Sequence, residues 1–325
     1  MDVLTTRLIP KNGLQILKDA GCMVTQYTEK RDLTSKELIY ACKRYDALLS
    51  VGPNKIDEHF LTECRHLKAI SLLSAGYDNV DVSAANQMGI AIGYTPGVLS
   101  AATSDIAFLL MLAVSRNAFY QHNTIAKGEW GFFEPTANLG IELYGKTLGI
   151  FGLGKIGFEL AKKCRAAYQM KLIYHNRHSN EAVEKELGAT LVTFDELLAK
   201  SDVLSVHAGL SAQTRGLFSK EIFEKMKSTA IFINTARGAI HNEEDLLAAL
   251  QQGKIWGAGL DVTNPEPMSS NNPLLSLRNV CVLPHIGSAT VETRNAMAVI
   301  AAKNIIAGLR GEQMPHVVNP EVYRR

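Results

Sequence analysis

Three chemistry-bearing residues each follow a short β-like run: Arg237 in Asn234-Thr235-Ala236-Arg237-Gly238, Glu266 in Asp261-Val262-Thr263-Asn264-Pro265-Glu266-Pro267, and His285 in Pro284-His285-Ile286-Gly287-Ser288. A guanidinium can hold a carboxylate through two parallel N–H bonds. A protonated imidazole can supply the proton that follows a hydride onto a carbonyl. A carboxylate on the other imidazole nitrogen fixes the tautomer and favours the charged form. Together the three suit hydride exchange at a 2-oxo or 2-hydroxy acid, with Arg237 and His285 also touching the substrate. Singly, each has an ordinary reading as a structural ion pair, a solvated loop acid or a capped histidine. Delivered by three strand ends of one sheet, they can converge, because ligands of doubly wound sheets sit beyond the carboxyl ends of strands.

Hydride exchange needs a dinucleotide, and a second motif supplies a place for one. The apolar run Leu148-Gly149-Ile150-Phe151 leads into Gly152-Leu153-Gly154-Lys155-Ile156-Gly157, a GxGxxG between a strand and a helical pattern over Phe158 to Ala167. Gly152 permits the tight turn, Gly154 the approach of backbone to a pyrophosphate, and Gly157 close helix–strand packing; Lys155 and Ile156 sit at the helix start, where unpaired N–H groups meet the anion. An NAD site would carry an acid about 20 residues on for the ribose 2′-hydroxyl. The chain reads Tyr174-His175-Asn176-Arg177-His178 there, with no Asp or Glu between Leu172 and Asn180. Arg177 can pair with a 2′-phosphate and Asn176 or His178 can donate to it, so the sequence favours NADPH, with NADH as the weaker alternative.

These loops need strands to carry them. In the first hundred residues β-like runs at Asp2 to Thr5, Ala47 to Val51, Ala69 to Leu73 and Ile90 to Tyr94 alternate with helical patterns at Asn12 to Ala20 and Glu58 to Cys64, which predicts a parallel sheet with crossover helices. A long helical pattern from Ser100 to Lys127, with Thr103-Ser104-Asp105 as capping side chains, separates this part from the next. From Gly145 six strand candidates follow: Thr147 to Phe151, Leu172 to Tyr174, Val203 to His207, Ile231 to Asn234, Gly257 to Asp261 and Val280 to Leu283. A last helix is expected over Val291 to Leu309, after Ser288-Ala289-Thr290, and the tail Met314 to Pro320 is expected to pack back on the first domain.

Composition bounds the partners. With 46% hydrophobic and 20% charged residues, and Lys+Arg 34 against Asp+Glu 32 for a net +2, the chain reads as a globular α/β protein of two domains. Its densest basic stretch, Lys162-Lys163-Cys164-Arg165, is too short for a nucleic-acid or membrane surface. Five scattered cysteines without a CxxC pair argue against a zinc site and a disulfide framework and fit a reducing compartment. The amino terminus has no apolar signal core, and the longest apolar run, Ile106 to Val114, is about half a membrane span. The expectation is a cytoplasmic protein.

Gly-Leu-Gly-Lys-Ile-Gly, Asn-Thr-Ala-Arg-Gly, Gly257 to Asp261 with Glu266-Pro267, and Pro-His-Ile-Gly-Ser-Ala-Thr, in this order, resemble the D-isomer-specific 2-hydroxyacid dehydrogenases over essentially the whole chain. Within the family the resemblance is greatest to glyoxylate/hydroxypyruvate reductases. It implies two Rossmann-like or flavodoxin-like doubly wound parallel-sheet domains, residues 1–100 plus 288–325 for substrate and 101–287 for the dinucleotide, with the active site in the cleft between them. It implies that Arg237 binds the substrate carboxylate and carbonyl, that Glu266 partners His285, and that His285 is the proton donor in reduction. It implies that the backbone N–H groups of Ala75 and Gly76 grip the substrate carboxylate. The same resemblance implies that Thr103, Thr235, Asp261 and Gly287 fall near the nicotinamide, with Asp261 as a holder of its carboxamide. Where many members read His-x-Pro-Leu, this chain reads His207-Ala208-Gly209-Leu210, so the Gly209 loop against the adenosine is expected to differ in shape, and His207 reads as structural. Trp130, Phe132 and Phe133 could wall the cleft or pack a dimer arm; family members are usually homodimers through the cofactor domain. The resulting expectation is NADPH-dependent reduction of glyoxylate, hydroxypyruvate or a larger 2-oxo acid such as 2-keto-gluconate. The competing readings are an NAD-dependent phosphoglycerate- or lactate-type dehydrogenase and a dinucleotide-sensing corepressor-like protein without catalysis.

Overall fold

The computed structural model describes residues 1–324, and these fall into two compact units, 1–99 with 289–324 and 100–288. In the first unit the chain runs β1 (Asp2–Thr5), α1 (Lys11–Asp19), β2 (Met23–Gln26), α2 (Ser35–Cys42), β3 (Ala47–Ser50), α3 (Glu58–Glu63), β4 (Ala69–Leu72), α4 (Val82–Met88) and β5 (Ile92–Gly93). All strand pairs are parallel, in the order β2-β1-β3-β4-β5. β3 and β4 are buried along their whole length, as strands covered on both faces must be. β2, absent from the sequence reading, is an edge strand whose residues alternate between exposed and half-buried. Its four residues, Met-Val-Thr-Gln, carry too little apolar periodicity to stand out.

The second unit opens with α5 (Ser100–Ser115) and α6 (Ala118–Ala126). The expected single helix from Ser100 to Lys127 is therefore two, broken at Asn117, whose φ of 51° lies in the left-handed region. The expected cap at Thr103-Ser104-Asp105 is also corrected: all three residues lie within α5, and Thr103 and Ser104 are buried. Then follow β6 (Thr147–Phe151), α7 (Lys155–Tyr168), β7 (Lys171–His175), α8 (Glu181–Leu187), β8 (Thr190–Leu191), α9 (Phe194–Lys200), β9 (Val203–Val206), α10 (Lys220–Phe223), β10 (Ile231–Asn234), α11 (Glu243–Gln251), β11 (Gly257–Leu260) and β12 (Val280–Val282). The sheet has seven parallel strands, β12-β11-β10-β9-β6-β7-β8, one more than the six expected. The extra strand, β8, is a two-residue exposed edge, too short to leave a periodic signal.

In this sheet the direction of winding reverses between β6 and β9, so the loop after β6 lies at the switch point where doubly wound sheets bind ligands. Buried side chains form two separate clusters in this unit, one including Leu110, Val114, Leu148 and Ile233, the other Phe218, Phe223, Phe232 and Leu260. The chain then returns to the first unit through α12 (Val291–Leu309), the helix expected over these residues, capped by Thr290, which accepts from the Thr293 N–H. Gly13 of α1 lets the two helices approach, since a Cβ there would lie 2.6 Å from the Ala298 oxygen. The tail packs on β5: Val318 N donates to Ile92 O, and buried Asn319 bonds the backbone of Ile92 and Ile90.

Candidate active site

Arg237, Glu266 and His285 follow β10, β11 and β12, three adjacent parallel strands, and therefore leave the sheet at the same edge. Two of them meet directly. His285 Nδ1 and Glu266 Oε1 are 2.5 Å apart. Glu266 is partly shielded from water, which works against its charge. The bond and charge of His285, the Thr263 N–H and the charge of Arg237 outweigh that and hold its carboxyl below the usual range. With Nδ1 engaged by the carboxylate, Nε2 is the ring atom left for a reacting group.

Backbone geometry underlines the histidine. His285 has φ 54°, the left-handed region that a non-glycine residue occupies at a cost of order 1–3 kcal/mol. The turn is held by Asp261, 1% exposed, whose two carboxylate oxygens accept the Ile286 N–H at 2.8 Å and the Gly287 N–H at 2.7 Å. Burial pushes this carboxyl up, opposed by those two N–H groups. Asp261 thus acts in the structure as the clamp of the His285 turn. Gly287 is needed for this fit, since a Cβ there would lie 3.0 Å from Asp261 Oδ2 and 3.1 Å from the Thr103 methyl. Thr103, Asp261 and Gly287 are in this way brought together, while Thr235 places a buried Oγ1 that has no partner among the described residues.

The dinucleotide motif has the shape the chemistry requires. Gly152 has φ 92°, and a Cβ on it would lie 2.6 Å from Ala208 N, so only glycine turns here beneath the β9 loop. Gly154 has open space where a Cβ would stand, caps α7 without a side-chain bond, and leaves the N–H groups of the first turn, Lys155 and Ile156 included, for an anion. Gly157 closes on Ile150, where a Cβ would be 3.0 Å away. A dinucleotide fits these residues: a free helix terminus, a glycine cradle and an unpaired buried hydroxyl.

At the end of β7, Asn176 does something the sequence did not disclose. Its amide bonds Leu153, accepting from N–H at 2.7 Å and donating to C=O at 3.3 Å, so it shapes the glycine loop. Arg177 and His178 stand exposed beside it with no hydrogen bond or ion pair among the described residues. Gly209 is exposed, and its carbonyl accepts the Thr214 hydroxyl at 2.8 Å. His207 bonds Ser205 Oγ through Nε2 at 2.8 Å, and burial pushes its imidazole down to about 4. In the first unit Ala75 and Gly76 follow β4, and neither N–H is taken up by the described residues.

Two residues that sequence reasoning passed over support the loops. Glu243, at the start of α11, accepts from Asn264 N–H and from Asn272 Nδ2, which bracket the Glu266 segment. His241, 1% exposed, bonds Asn234, the last residue of β10. Burial pushes the His241 imidazole down to about 4, so the folded chain takes up its proton later than the unfolded one. Its contribution to stability is therefore full above about pH 6.5 and lost as pH falls through about 4. Urea unfolding at about pH 7 and about pH 5 should show His241→Gln losing about 2 kcal/mol less than the parent chain. Equal losses would remove this histidine from the acid response.

Residues 108–287 match the family model described as D-isomer specific 2-hydroxyacid dehydrogenase, NAD binding domain. The chain belongs to this family. It is an oxidoreductase acting on CH–OH groups. It is 39% identical over 317 residues to the glyoxylate reductase/hydroxypyruvate reductase of Homo sapiens, covering 97% of each chain. It is 40% identical over 324 residues to the glyoxylate reductase of Thermococcus litoralis, covering 98% of this chain and 97% of the relative. Among solved structures it superposes with a TM-score of 0.84 on the NADPH-dependent glyoxylate/hydroxypyruvate reductase of Sinorhizobium meliloti, in complex with NADP and malonate, at 30% identity and with 98% and 96% of the two chains covered.

Proposed function

We propose that the chain is an NADPH-dependent reductase of glyoxylate, hydroxypyruvate and larger 2-oxo acids such as 2-keto-gluconate. The observation that carries the reading is the His285–Glu266 contact of 2.5 Å with the charge of Arg237 beside it. When bound, the reduced nicotinamide supplies a hydride to C2. Arg237 orients the substrate carboxylate and steadies the charge growing on the carbonyl oxygen. His285 holds a proton at Nε2 and delivers it to that oxygen, while Glu266 fixes Nδ1 and balances the imidazolium. The product is the 2-hydroxy acid. Asp261 and Gly287 keep the histidine turn in place, and Thr103 and Thr235 lie on the nicotinamide side. In the first unit, 1–99 with 289–324, the free N–H groups of Ala75 and Gly76 suit a carboxylate, the role expected of a substrate domain.

Preference for the phosphorylated dinucleotide rests on Arg177, an exposed cation just past β7 with no ion pair among the described residues and no Asp or Glu between Leu172 and Asn180. His178 and the second amide proton of Asn176 can donate to the same phosphate, while Asn176 also braces the glycine loop. Arg177→Asp should turn the preference toward NADH by roughly tenfold or more, since a repelled phosphate and a bonded ribose hydroxyl act in the same direction. Steady-state rates with both cofactors test this, and equal loss with the two would take Arg177 out of phosphate recognition. The reading as a whole is tested by NADPH oxidation in the presence of glyoxylate or hydroxypyruvate; a rate at background ends it.

Two further lines belong to the same reading. Trp130, Phe132 and Phe133 are 67%, 81% and 75% exposed in the segment after α6, which suits an arm that packs in a homodimer. All five cysteines are buried and unpaired, as in a cytoplasmic enzyme.

A further inference from the structure

We infer that His241 is a positioning residue for Arg237, acting through Asn234: its Nδ1 accepts one amide N–H of Asn234 and so locks the side chain that shapes the Arg237 turn. The inference deepens the reductase reading and rests on it.

The Asn234 side chain makes three bonds. Oδ1 accepts the Ala236 N–H at 2.9 Å, and Nδ2 lies 2.9 Å from Arg237 O and 3.0 Å from His241 Nδ1. An amide NH2 has two protons and accepts nothing, so one proton goes to the Arg237 carbonyl and the other to the imidazole. His241 Nδ1 is therefore bare, and the ring proton resides on Nε2. That Nε2 has no partner among the described residues. The ring is 1% exposed and stands edge-on to Phe232, with centroids 5.8 Å apart.

The His241 N–H donates to Gly238 O, and the backbone on either side is fastened too, with Asn242 N donating to Phe218 O and Phe218 N donating to Ile240 O. A leucine or valine would fill such a place without burying a polar edge, and burying a polar edge without a partner is unfavourable. What the imidazole adds is an acceptor for Asn234. Arg237 closes the same turn, its Nη1 donating to the Ala236 carbonyl at 2.7 Å. Asn234 thus bonds both Ala236 and Arg237, the two residues from which the guanidinium starts. Burial, which holds the imidazole neutral, keeps Nδ1 an acceptor at neutral pH.

The test uses the full chain with kcat and KM for glyoxylate and hydroxypyruvate, and NADPH affinity from fluorescence. His241→Leu leaves a buried amide N–H without an acceptor and should lower kcat/KM about tenfold, with NADPH affinity unchanged. His241→Gln, which keeps an acceptor, should recover most of the loss. In an Asn234→Ala background His241→Leu should cost nothing more, because the bond it removes is already gone. Parental kcat/KM in His241→Leu, loss that glutamine does not recover, or full additivity with Asn234→Ala overturns the inference. If the parent chain reduces no 2-oxo acid, the reductase reading fails separately. The ring ¹⁵N shifts of the parent protein then decide the histidine's state: a bare Nδ1 at neutral pH supports the lock, and a protonated Nδ1 overturns it, also where the leucine variant does not fold.

Discussion

Replacing His285 with alanine is expected to lower turnover of glyoxylate about 10²- to 10⁴-fold, the range for loss of a general acid, while NADPH still binds. The expectation follows from the division of labour in the site. The imidazole touches Glu266 through Nδ1, and the anion cradle at the start of α7 uses none of its atoms. Glu266→Gln should fall less far, since a glutamine can still hold the ring but no longer balances its charge. Burst and steady-state rates with both variants, together with NADPH titrations, measure this. Near-normal turnover in His285→Ala would sink the proton-donor role, and a parallel loss of NADPH binding would point to a collapsed turn around Asp261 instead.

Gly238→Ala should be the most damaging single methyl in the site. A Cβ at this position would lie 2.0 Å from the Thr263 oxygen and 2.2 Å from its carbonyl carbon, both backbone atoms. The collision joins two loops: Gly238 directly follows Arg237, and Thr263 opens the segment that carries Glu266. Forcing them apart should cost about 2–3 kcal/mol of stability, as overpacked sites do, and lower the melting temperature by roughly 4–12 °C. Activity should fall further than stability alone explains, because the guanidinium and the glutamate separate. Calorimetry with parallel kinetics checks both parts, and an unchanged melting temperature would show that the two loops have room to yield.

The sequence carried much of this molecule. Parallel strands buried on both faces read as short apolar runs, so Ala47–Ser50, Ala69–Leu72 and Ile231–Asn234 stood out, and the glycine spacing after β6 identified its turn because Gly152 and Gly157 answer steric demands and Gly154 leaves space beside the helix start. The edge strands β2 and β8 did not stand out, since short exposed strands bury too little to impose a pattern. Nor did the break at Asn117, where a left-handed backbone interrupts the helical pattern.

At the site, residue types alone named Arg237, Glu266 and His285, because a carboxylate grip, a charge partner and a proton donor are specific chemistries that few side chains supply. What the tertiary structure decided is who supports them. Asn176 braces the glycine loop, Asp261 clamps the histidine turn, and His241 bonds Asn234 ahead of Arg237. Such partners are chosen by distance in space across 7 to 26 positions of chain. A side-chain amide or carboxylate has no periodicity that reveals which backbone N–H it will find once the strands are side by side.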